Sequence, residues 1–536
     1  MRSAVVAAWL LAGCLGTGSL DLELTLPTEP DLKPTGMTTI TVLAQSPEIP
    51  PIANRTVLTG SSFRAGELPV GENLQINVLL HDVSNRLVGL GEAPELVDII
   101  GDKATKLAIP VRKPFIYASS GSALYTFDPT LDPRNAKFQG KLNGLTSPTA
   151  GVSVGGDRFV VAGGTSLQIV ETSTHKVIGN PITLPGTVND VAPVPSMKKV
   201  AVAHTGGIAI VNIDSGEVIN AAVGPVDRVT VGPAADKRMV AYGLVGRVAP
   251  PENPLQPCSG SSSVVAVFID APAVTAPKPL GGAVSAVGSA PAQAAVFATL
   301  PCAGQVARIE GDPTSEVGQL TLTKVSDLKN AAVVAVLGDR VFAAGTKPSV
   351  PECQSGCNAT SSTACPDPMT GNKVSWVSTG AQLVVQSIPI AGGTAVNLEL
   401  PERRETMVDT DDMAKSHAQV MHPMGTVPLD IVALPGGQYV SVVIRNSYYV
   451  ESLYDALNAL YILPCIKTTS ADWLLVDLAS SSIASRVRTS CMITAIRTGA
   501  NVYFPNWACD DAPEGERNTQ GAGYLPTSVG ALFGAR

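Results

Sequence analysis

Residues 198–218 read KKVAVAHTGGIAIVNIDSGEV, and this stretch decides the fold. It contains two apolar runs, Val200–Ala203 and Ile208–Val211, that are rich in the β-branched and small residues typical of buried strands. A short polar segment with two glycines separates the runs, and a Ser-Gly pair follows the acidic residue after the second one. Since Gly and Ser favour turns, the stretch predicts two neighbouring antiparallel strands joined by a turn.

The same unit recurs along the chain from residue 113 onward. Its first four starts are about 40 residues apart, which is the spacing of one four-stranded blade of a β-propeller. One sheet cannot bury both of its faces alone, whereas sheets packed radially cover each other's faces. The sequence therefore predicts a β-propeller over residues 113–536, with seven blades or, alternatively, eight; a pair of large β-sandwiches is the competing interpretation. The units begin at Phe115, Gly156, Lys198, Arg238, Ala295, Arg340, Gln438 and Asn501.

Two segments resemble the repeats of YVTN-type, WD40-like propellers. Residues 425–440, GTVPLDIVALPGGQYV, are similar to that family's turn-and-strand pattern G-x-x-P-x-x-[IV]-x-x-x-P-[DG]-G, and Ile210–Val218 is similar to its outer strand. The literal YVTN tetrad is absent. A closed ring needs a strand from one terminus to complete a blade built by the other, and residues 524–533 are the candidate for that strand.

Residues 37–112 have strand character of a different kind. Apolar and polar residues alternate in Thr39–Leu43 and Leu74–Val78, and Pro and Gly separate such runs. Short alternating strands predict a small β-sandwich, and the segment resembles the immunoglobulin-like or transthyretin-like modules of exported proteins. Residues 14–36 are rich in Thr, Pro, Gly and acidic residues and are interpreted as a flexible tether. The predicted fold class is all-β: an N-terminal β-sandwich followed by a propeller with Cys-rich loop insertions.

The N-terminus indicates the compartment. Arg2 precedes an apolar run that ends in Leu11-Ala12-Gly13-Cys14, and this run is too short to span a bilayer. The tetrapeptide resembles the lipobox of bacterial lipoproteins, L-[AS]-[GA]-C. That resemblance implies a signal peptide over residues 1–13, lipid (palmitate) attachment at Cys14 and a membrane-anchored protein of the cell envelope. By resemblance to the enterobacterial sorting rule, in which an Asp after the Cys retains a lipoprotein at the inner membrane, Leu15 implies the outer membrane. An ordinary signal peptide or an incidental Cys is the alternative.

The composition excludes two other classes of protein. Hydrophobic residues make up 45% of the chain and charged residues 15%, whereas disordered chains have low hydrophobicity and high charge. The net charge is −8, and the densest basic run, Arg403-Arg404, is flanked by Glu402 and Glu405. No basic stripe is available to neutralise phosphates, so no nucleic-acid partner is expected.

The cysteine count predicts disulfides. Once Cys14 is set aside, eight cysteines remain, an even number that predicts four disulfides in an exported protein. Adjacency favours Cys258 with Cys302 and Cys465 with Cys491. A zinc site in the Cys353–Cys365 segment lacks a fourth ligand nearby, so disulfides are favoured over a structural metal. The candidates are Cys258, Cys302, Cys353, Cys357, Cys365, Cys465, Cys491 and Cys509.

No motif predicts a catalytic centre, and no cofactor is expected. Gly151–Gly155 matches G-x-S-x-G, but a nucleophile elbow needs a helix after the Ser, and a strand is predicted there. Asp409, Asp411 and Asp412 form an acidic loop that is a weak calcium candidate, because its spacing is not that of an EF-hand loop. Residues 447–464, which carry four Tyr and have partial helical character, are a candidate binding insertion or a loop packed on its own blade.

Three functional hypotheses follow from these features. The first is a lipid-anchored, non-enzymatic propeller that binds an envelope protein or glycan as a binding or assembly scaffold. The second is a hydrolase or lyase with its site in the central channel, which converging carboxylates and His would favour and a lining of Ala, Val and Gly would exclude. The third is a structural envelope protein without a specific small ligand.

Overall fold

The protein is described here from a computed structural model. The described residues are 17–46, 52–85, 87–101, 103–120, 123–127, 140–142, 145, 148–154, 158–172, 174–195, 198–234, 236–251, 257–271, 273–290, 294–315, 319–348, 365–366, 373–374, 381–400, 406–409, 419–433, 439–451, 466–478, 481–493, 507–509 and 532–534.

The first eight strands form one continuous sheet. They are β1 (Thr17–Thr25), β2 (Thr39–Gln45), β3 (Ile52–Val57), β4 (Ser62–Pro69), β5 (Gly71–His81), β6 (Leu87–Glu92), β7 (Val97–Ile99) and β8 (Ala104–Arg112). Hydrogen bonds connect them in the order β3-β2-β5-β6-β8-β1-β4, and β7 pairs with β5. The predicted two-sheet sandwich over residues 37–112 is therefore not confirmed, because the described strands follow a single hydrogen-bonded path.

Strand β1 corrects the prediction of a flexible tether over residues 14–36. Thr17–Thr25 pairs with β4 on one side and with β8, in parallel, on the other. Leu20, Leu22 and Leu24 are buried in the core of the sheet, while the residues between them are polar. This period of two is the mark of a half-buried strand, and it outweighs the Thr- and Gly-rich composition of the segment.

Six further sheets have four strands each, the arrangement of propeller blades. The first joins β9 (Ile116–Ser120), β10 (Ala123–Phe127) and β11 (Gly140–Leu142) to the C-terminal β40 (Leu532–Gly534). The second has β12 (Pro148–Ser153), β13 (Arg158–Gly163), β14 (Ser166–Glu171) and β15 (Lys176–Thr183). The third has β16 (Val188–Pro193), β17 (Lys199–His204), β18 (Gly207–Asn212) and β19 (Val218–Ala222).

The remaining three four-stranded sheets follow in chain order. The fourth has β20 (Arg228–Pro233), β21 (Met239–Val245), β22 (Ser263–Phe268) and β23 (Lys278–Pro279). The fifth has β24 (Ala286–Ala290), β25 (Ala295–Leu300), β26 (Gln305–Glu310) and β27 (Thr321–Asp327). The sixth has β28 (Val333–Leu337), β29 (Arg340–Pro348), β32 (Ala381–Pro389) and β33 (Val396–Leu400), with a small ribbon of β30 (Cys365–Pro366) and β31 (Lys373–Val374) between β29 and β32.

One larger sheet has six strands in the order β38-β37-β36-β35-β34-β39. They are β34 (Thr406–Asp409), β35 (Gln419–Ala433), β36 (Tyr439–Glu451), β37 (Ile466–Asp477), β38 (Ser482–Ile493) and β39 (Trp507–Cys509). The segment predicted as an insertion with helical character, residues 447–464, is strand over 447–451, and its other residues lie outside the described ones. Since the long strands pair along their whole length, they carry the sheet beyond the height of a normal blade.

The sheets form a closed ring around a central channel. Their innermost strands contact one another in the cyclic order β40, β12, β16, β20, β24, β28, β35 and back to β40. The prediction of seven blades, or alternatively eight, is wrong: the described structure has six four-stranded blades, and a six-stranded sheet lies between the sixth blade and the first. The spacing of about 40 residues between repeat starts is lost where insertions enter the later part of the chain. Counting the later repeat starts therefore gave the wrong number of blades.

The C-terminal strand closes the ring. Leu532 pairs with Ala118 and Gly534 pairs with Ile116, so β40 is the innermost strand of a blade whose other strands come from the start of the propeller. A closing strand from residues 524–533 was expected, and the described strand falls at the end of that segment.

The core lies between successive sheets. One cluster joins Tyr117 on the first blade to Phe159 on the second and Val200 on the third, and similar clusters link each blade to the next as far as the six-stranded sheet. Successive sheets therefore cover each other's faces around the ring. The competing interpretation, a pair of large sandwiches, does not pack its sheets in this way.

The ring has two different ends. Because strands alternate in direction within each blade, the start of every innermost strand and the end of the next strand lie at one end, here called the upper end. The N-terminal sheet contacts the opposite, lower end: the Tyr439 hydroxyl at the start of β36 donates to the carbonyl of Asn85 over 3.0 Å, and Arg112 Nε donates to Thr172 Oγ1, just after β14, over 3.1 Å. Among the described residues no helix is both long and apolar enough to cross a membrane.

Candidate functional site

A polar cavity of about 260 Å³ opens at the upper end of the central channel. The starts of three innermost strands and the middle of β35 surround it, so residues far apart in sequence meet there because of the ring. This cavity is called the channel mouth below. Its lining consists of Thr149, Asn189, Asp227, Arg228, Arg247, Leu429 and Asp430.

The carboxylates of the channel mouth are held by backbone N–H groups. Asp190, next to the lining residue Asn189, accepts from the amide of Val229 over 3.0 Å. Asp227 accepts from the amide of Arg247 over 2.8 Å, and Asp430 from the amide of the following residue over 2.9 Å. Each acid is thereby fixed in place, and part of its acceptor capacity is used by the protein itself.

Burial raises the pKa of the Asp190 carboxyl above its usual range. The nearby Arg228 guanidinium and the backbone amide of Val229 act in the opposite direction, since both favour the charged form. Burial therefore makes the charged form of Asp190 costly to keep.

The two guanidinium groups have fewer partners than the acids. Arg228 Nη1 lies 3.6 Å from Asp190 Oδ1, a loose ion pair, and Arg247 Nε donates to the carbonyl of Ser285 over 2.9 Å. The terminal N–H groups of both side chains donate no hydrogen bond to another described residue. Burial, followed by the nearby charge of Arg228, lowers the pKa of Arg247 to about 10, so Arg247 still carries its charge at neutral pH.

Arg247 begins a loop that crosses the upper end of the fifth blade. The amide of Val248 donates to the carbonyl of Val284 over 2.8 Å, and Asn330 Nδ2, just before β28, donates to the carbonyl of Pro251 over 3.0 Å. A disulfide then joins Cys258 of this loop to Cys302 between β25 and β26. The loop is thus attached to two neighbouring blades, which fixes the position of Arg247 at the channel mouth.

The Cys258–Cys302 pair confirms one disulfide prediction. Cys14, Cys353, Cys357 and Cys465 lie outside the described residues, so the lipid site and the Cys465–Cys491 pair stay predictions. Cys365, Cys491 and Cys509 lie in β30, β38 and β39, and only their backbone is described.

The other sequence candidates lie away from the channel mouth. Asp409 ends β34 with its backbone paired to Trp507, and Asp411 and Asp412 lie outside the described residues. Ser153 of the G-x-S-x-G match ends β12, and the next described element is strand β13, which pairs with β12, whereas a nucleophile elbow needs a helix there. No His is among the residues that line the cavity.

Sequence reasoning missed Arg228, Arg247 and the acids around them. A signal was present: the inner strands begin with Val-Asn-Asp-Val at 188–191 and Val-Asp-Arg-Val at 226–229, so polar pairs recur where a buried strand should be apolar. Aligning the repeats at their innermost strands would have found these pairs. Arg247 carries no such signal, because it follows the end of β21.

Comparisons with known proteins leave the family open. No protein-family model matches the chain, and no curated protein matches it. A solved structure described as Kuenenia stuttgartiensis hydrazine synthase has a TM-score of 0.36 and 15% identity, covering 67% of this chain and 100% of its own. A second, from a nidogen/laminin complex, has a TM-score of 0.30 and 8% identity, covering 43% of this chain and 85% of its own. Similarities at this level carry no argument about activity.

Proposed function

We propose that the chain is a lipid-anchored cell-envelope protein, held at the outer membrane through Cys14, whose propeller is a non-enzymatic binding scaffold. The partner is an envelope protein or glycan, and the channel mouth receives one of its polar groups. The observation that carries this proposal is the charged cavity at the upper end of the ring, where Arg228 and Arg247 line the same space as Asp227 and Asp430.

The placement of the N-terminal sheet supports this arrangement. Two residues separate Cys14 from Thr17, the start of β1, and two extended residues span only about 10 Å with their flanking bonds. A lipid on Cys14 would therefore hold the N-terminal sheet close to the membrane. Since that sheet contacts the lower end of the ring, the channel mouth would face away from the bilayer.

A second candidate function is an enzyme that uses the channel mouth. Converging carboxylates favour it, and Asp190, whose pKa is raised by burial, is the residue suited to donate or accept a proton. A scaffold is preferred because the described lining contains no His and no hydroxyl paired with a base. Replacing Asp190 by Asn separates the two: loss of turnover of an envelope glycan with retained binding would favour the enzyme.

The experiment that tests the scaffold combines mass spectrometry with co-purification. The native protein, extracted from envelopes in mild detergent, is expected to carry lipid on Cys14 and to retain its partner. The double variant Arg228→Gln/Arg247→Gln should keep the lipid and lose the partner, whereas Arg64→Gln, in the N-terminal sheet, should keep both. The proposal would be overturned if Cys14 carried no lipid, or if the Arg228→Gln/Arg247→Gln variant retained as much partner as the native protein.

A further inference from the structure

We infer that the channel mouth recognises an organic oxyanion, the carboxylate or phosphate of a small polar molecule or of a glycan, through Arg228 and Arg247. The inference rests on the proposed function and deepens it, since it names the chemical group that the site receives. It is carried by the two guanidinium groups, most of whose N–H groups have no hydrogen-bond partner among the described residues of the cavity.

Internal hydrogen bonds position the polar side chains of the channel mouth. Asp190, Asp227 and Asp430 each hold a backbone N–H at 2.8–3.0 Å. The side-chain amide of Asn189 donates to the carbonyl of Val226 over 2.7 Å, and Thr149 Oγ1 donates to the carbonyl of Ala162 over 3.3 Å. These contacts fix the polar wall of the cavity.

The N–H groups of the two arginines are largely unused. A guanidinium has five N–H groups in a planar fork. Arg247 uses one of them on Ser285, and the closest approach of Arg228 to an acid is 3.6 Å, longer than a charge-assisted hydrogen bond. Two positive groups with open N–H forks, both facing a cavity of about 260 Å³, match the paired oxygens of a carboxylate or phosphate.

The acids restrict which oxyanions fit. Because Asp227 and Asp430 line the same cavity, a simple inorganic anion gains from the arginines and is repelled by the carboxylates. A molecule that also presents hydroxyl donors avoids this cost, since the hydroxyls can donate to the acids. An acidic sugar has both kinds of group and the size of the cavity, which agrees with a glycan partner.

Arg247 is held in place before any ligand binds. Its amide is bonded to Asp227, and its loop is joined to the fifth blade through Cys258 and Cys302 and to Asn330 through Pro251. A side chain fixed in advance loses less conformational freedom on binding a ligand, so such a site binds more tightly than a flexible one.

Calorimetric titration of the purified full-length protein tests the inference. The probes are sodium glucuronate, glucose 6-phosphate and neutral glucose, which separate a carboxylate source from a phosphate source and from a plain sugar. We expect at least one acid to bind, glucose to bind weakly or not at all, and Arg228→Gln and Arg247→Gln each to weaken binding by about tenfold or more. Arg64→Gln removes an equally charged arginine of the N-terminal sheet and should leave the affinity unchanged.

Three outcomes would overturn the inference. The first is that neither glucuronate nor glucose 6-phosphate binds. The second is that glucose binds as tightly as the acids, and the third is that Arg64→Gln and Arg228→Gln lower the affinity equally. Circular dichroism of each variant shows whether the fold is kept, and Arg228→Lys and Arg247→Lys, which keep the charge but lose the fork, give a milder test of the same contacts. If the acids fail to bind while the envelope partner still depends on the channel mouth, the proposed function stands and only the oxyanion assignment is lost.

Discussion

At the scale of the residue, the packing of His175 couples stability to pH. His175 lies between the first and second blades, where Tyr117 Oη is 2.9 Å from its Nδ1 and the Phe115 ring meets it edge-on at 4.6 Å between centroids. Its Nε2 is buried without a hydrogen-bond partner among the described residues. Burial, and then the charge of Arg112, lowers its pKa from 6.5 to about 4. The folded protein therefore holds His175 neutral.

The sign of the pH effect follows from proton uptake. Between pH 6.5 and 4 the unfolded chain protonates this side chain and the folded chain does not, so the free energy of unfolding falls as the pH falls through that window. We expect the contribution of His175 to reach at most about 3 kcal/mol by pH 4. Urea unfolding of the wild type and of His175→Gln at pH 7 and pH 4 measures it. Equal pH dependence in the two proteins would contradict the assignment.

Residue-level prediction from sequence succeeded where a local rule applied. Cys258 and Cys302 were paired from adjacency, and the structure confirms the pair. Arg228 and Asp190 were missed because their partnership depends on the ring, which brings the starts of β16 and β20 together across the channel mouth. A single sequence without repeat alignment does not reveal which polar residues of different blades face each other.

At the scale of the element, the Cys258–Cys302 disulfide is expected to stabilise the upper end of the ring. The cross-linked residues are 44 positions apart. Closing a loop of that length lowers the entropy of the unfolded chain, and removal of such a bond costs about 2–4 kcal/mol. Chemical denaturation of the Cys258→Ser/Cys302→Ser protein should show a loss of this size, together with weaker binding at the channel mouth. Unchanged stability and affinity would show that the loop is held by its hydrogen bonds alone.

The closing strand β40 gives a second test at this scale. Deleting residues 532–536 removes the innermost strand of the first blade and exposes the edge of β9, whose residues Ile116–Ala118 pair with it. We expect a lower thermal midpoint and a tendency to aggregate. Deleting only residues 535–536, which follow the strand, is the matched control. A ring that tolerates the longer deletion as well as the shorter one would not depend on this closure.

The strands themselves were partly predictable, and the exceptions have physical causes. Repeat starts at Lys198 and Arg238 fall within one residue of β17 and β21, because short apolar runs between turns define buried strands. Strand β1 was missed because composition was given more weight than the alternation of Leu20, Leu22 and Leu24. The repeat start at Gln438 falls within one residue of β36, but the full length of β35 and β36 was missed, because Pro423 and Pro428 interrupt the strand pattern. Two bulges in the pairing of these strands accommodate the prolines.

At the scale of the whole molecule, the all-β propeller was predictable, but the number of its four-stranded blades was not. The radial packing of sheets follows from the repeat, since each sheet has two apolar faces to cover. The number of four-stranded blades depends on which repeat starts belong to one sheet. Insertions after Pro348 and around β34 change that assignment without changing the local pattern.

The two ends of the ring define the role proposed for the molecule. The N-terminal sheet packs on the lower end through a small cluster that includes Leu79, Tyr439 and Leu475. The charged cavity opens at the upper end. Under the proposed function, a lipid on Cys14 would lie next to the N-terminal sheet, and a partner bound at the upper end would lie on the side away from the membrane.

Site-specific photo-crosslinking in intact envelopes tests this account most directly. A photoreactive residue at Thr149, in the lining of the channel mouth, should form an adduct with an envelope protein or an acidic glycan, and the adduct should disappear in the Arg228→Gln/Arg247→Gln background. The same probe at Val83, a side chain that is 88% exposed on the N-terminal sheet, should not form it. Adducts from Val83 alone, or adducts from Thr149 that persist without the two arginines, would contradict binding at the channel mouth.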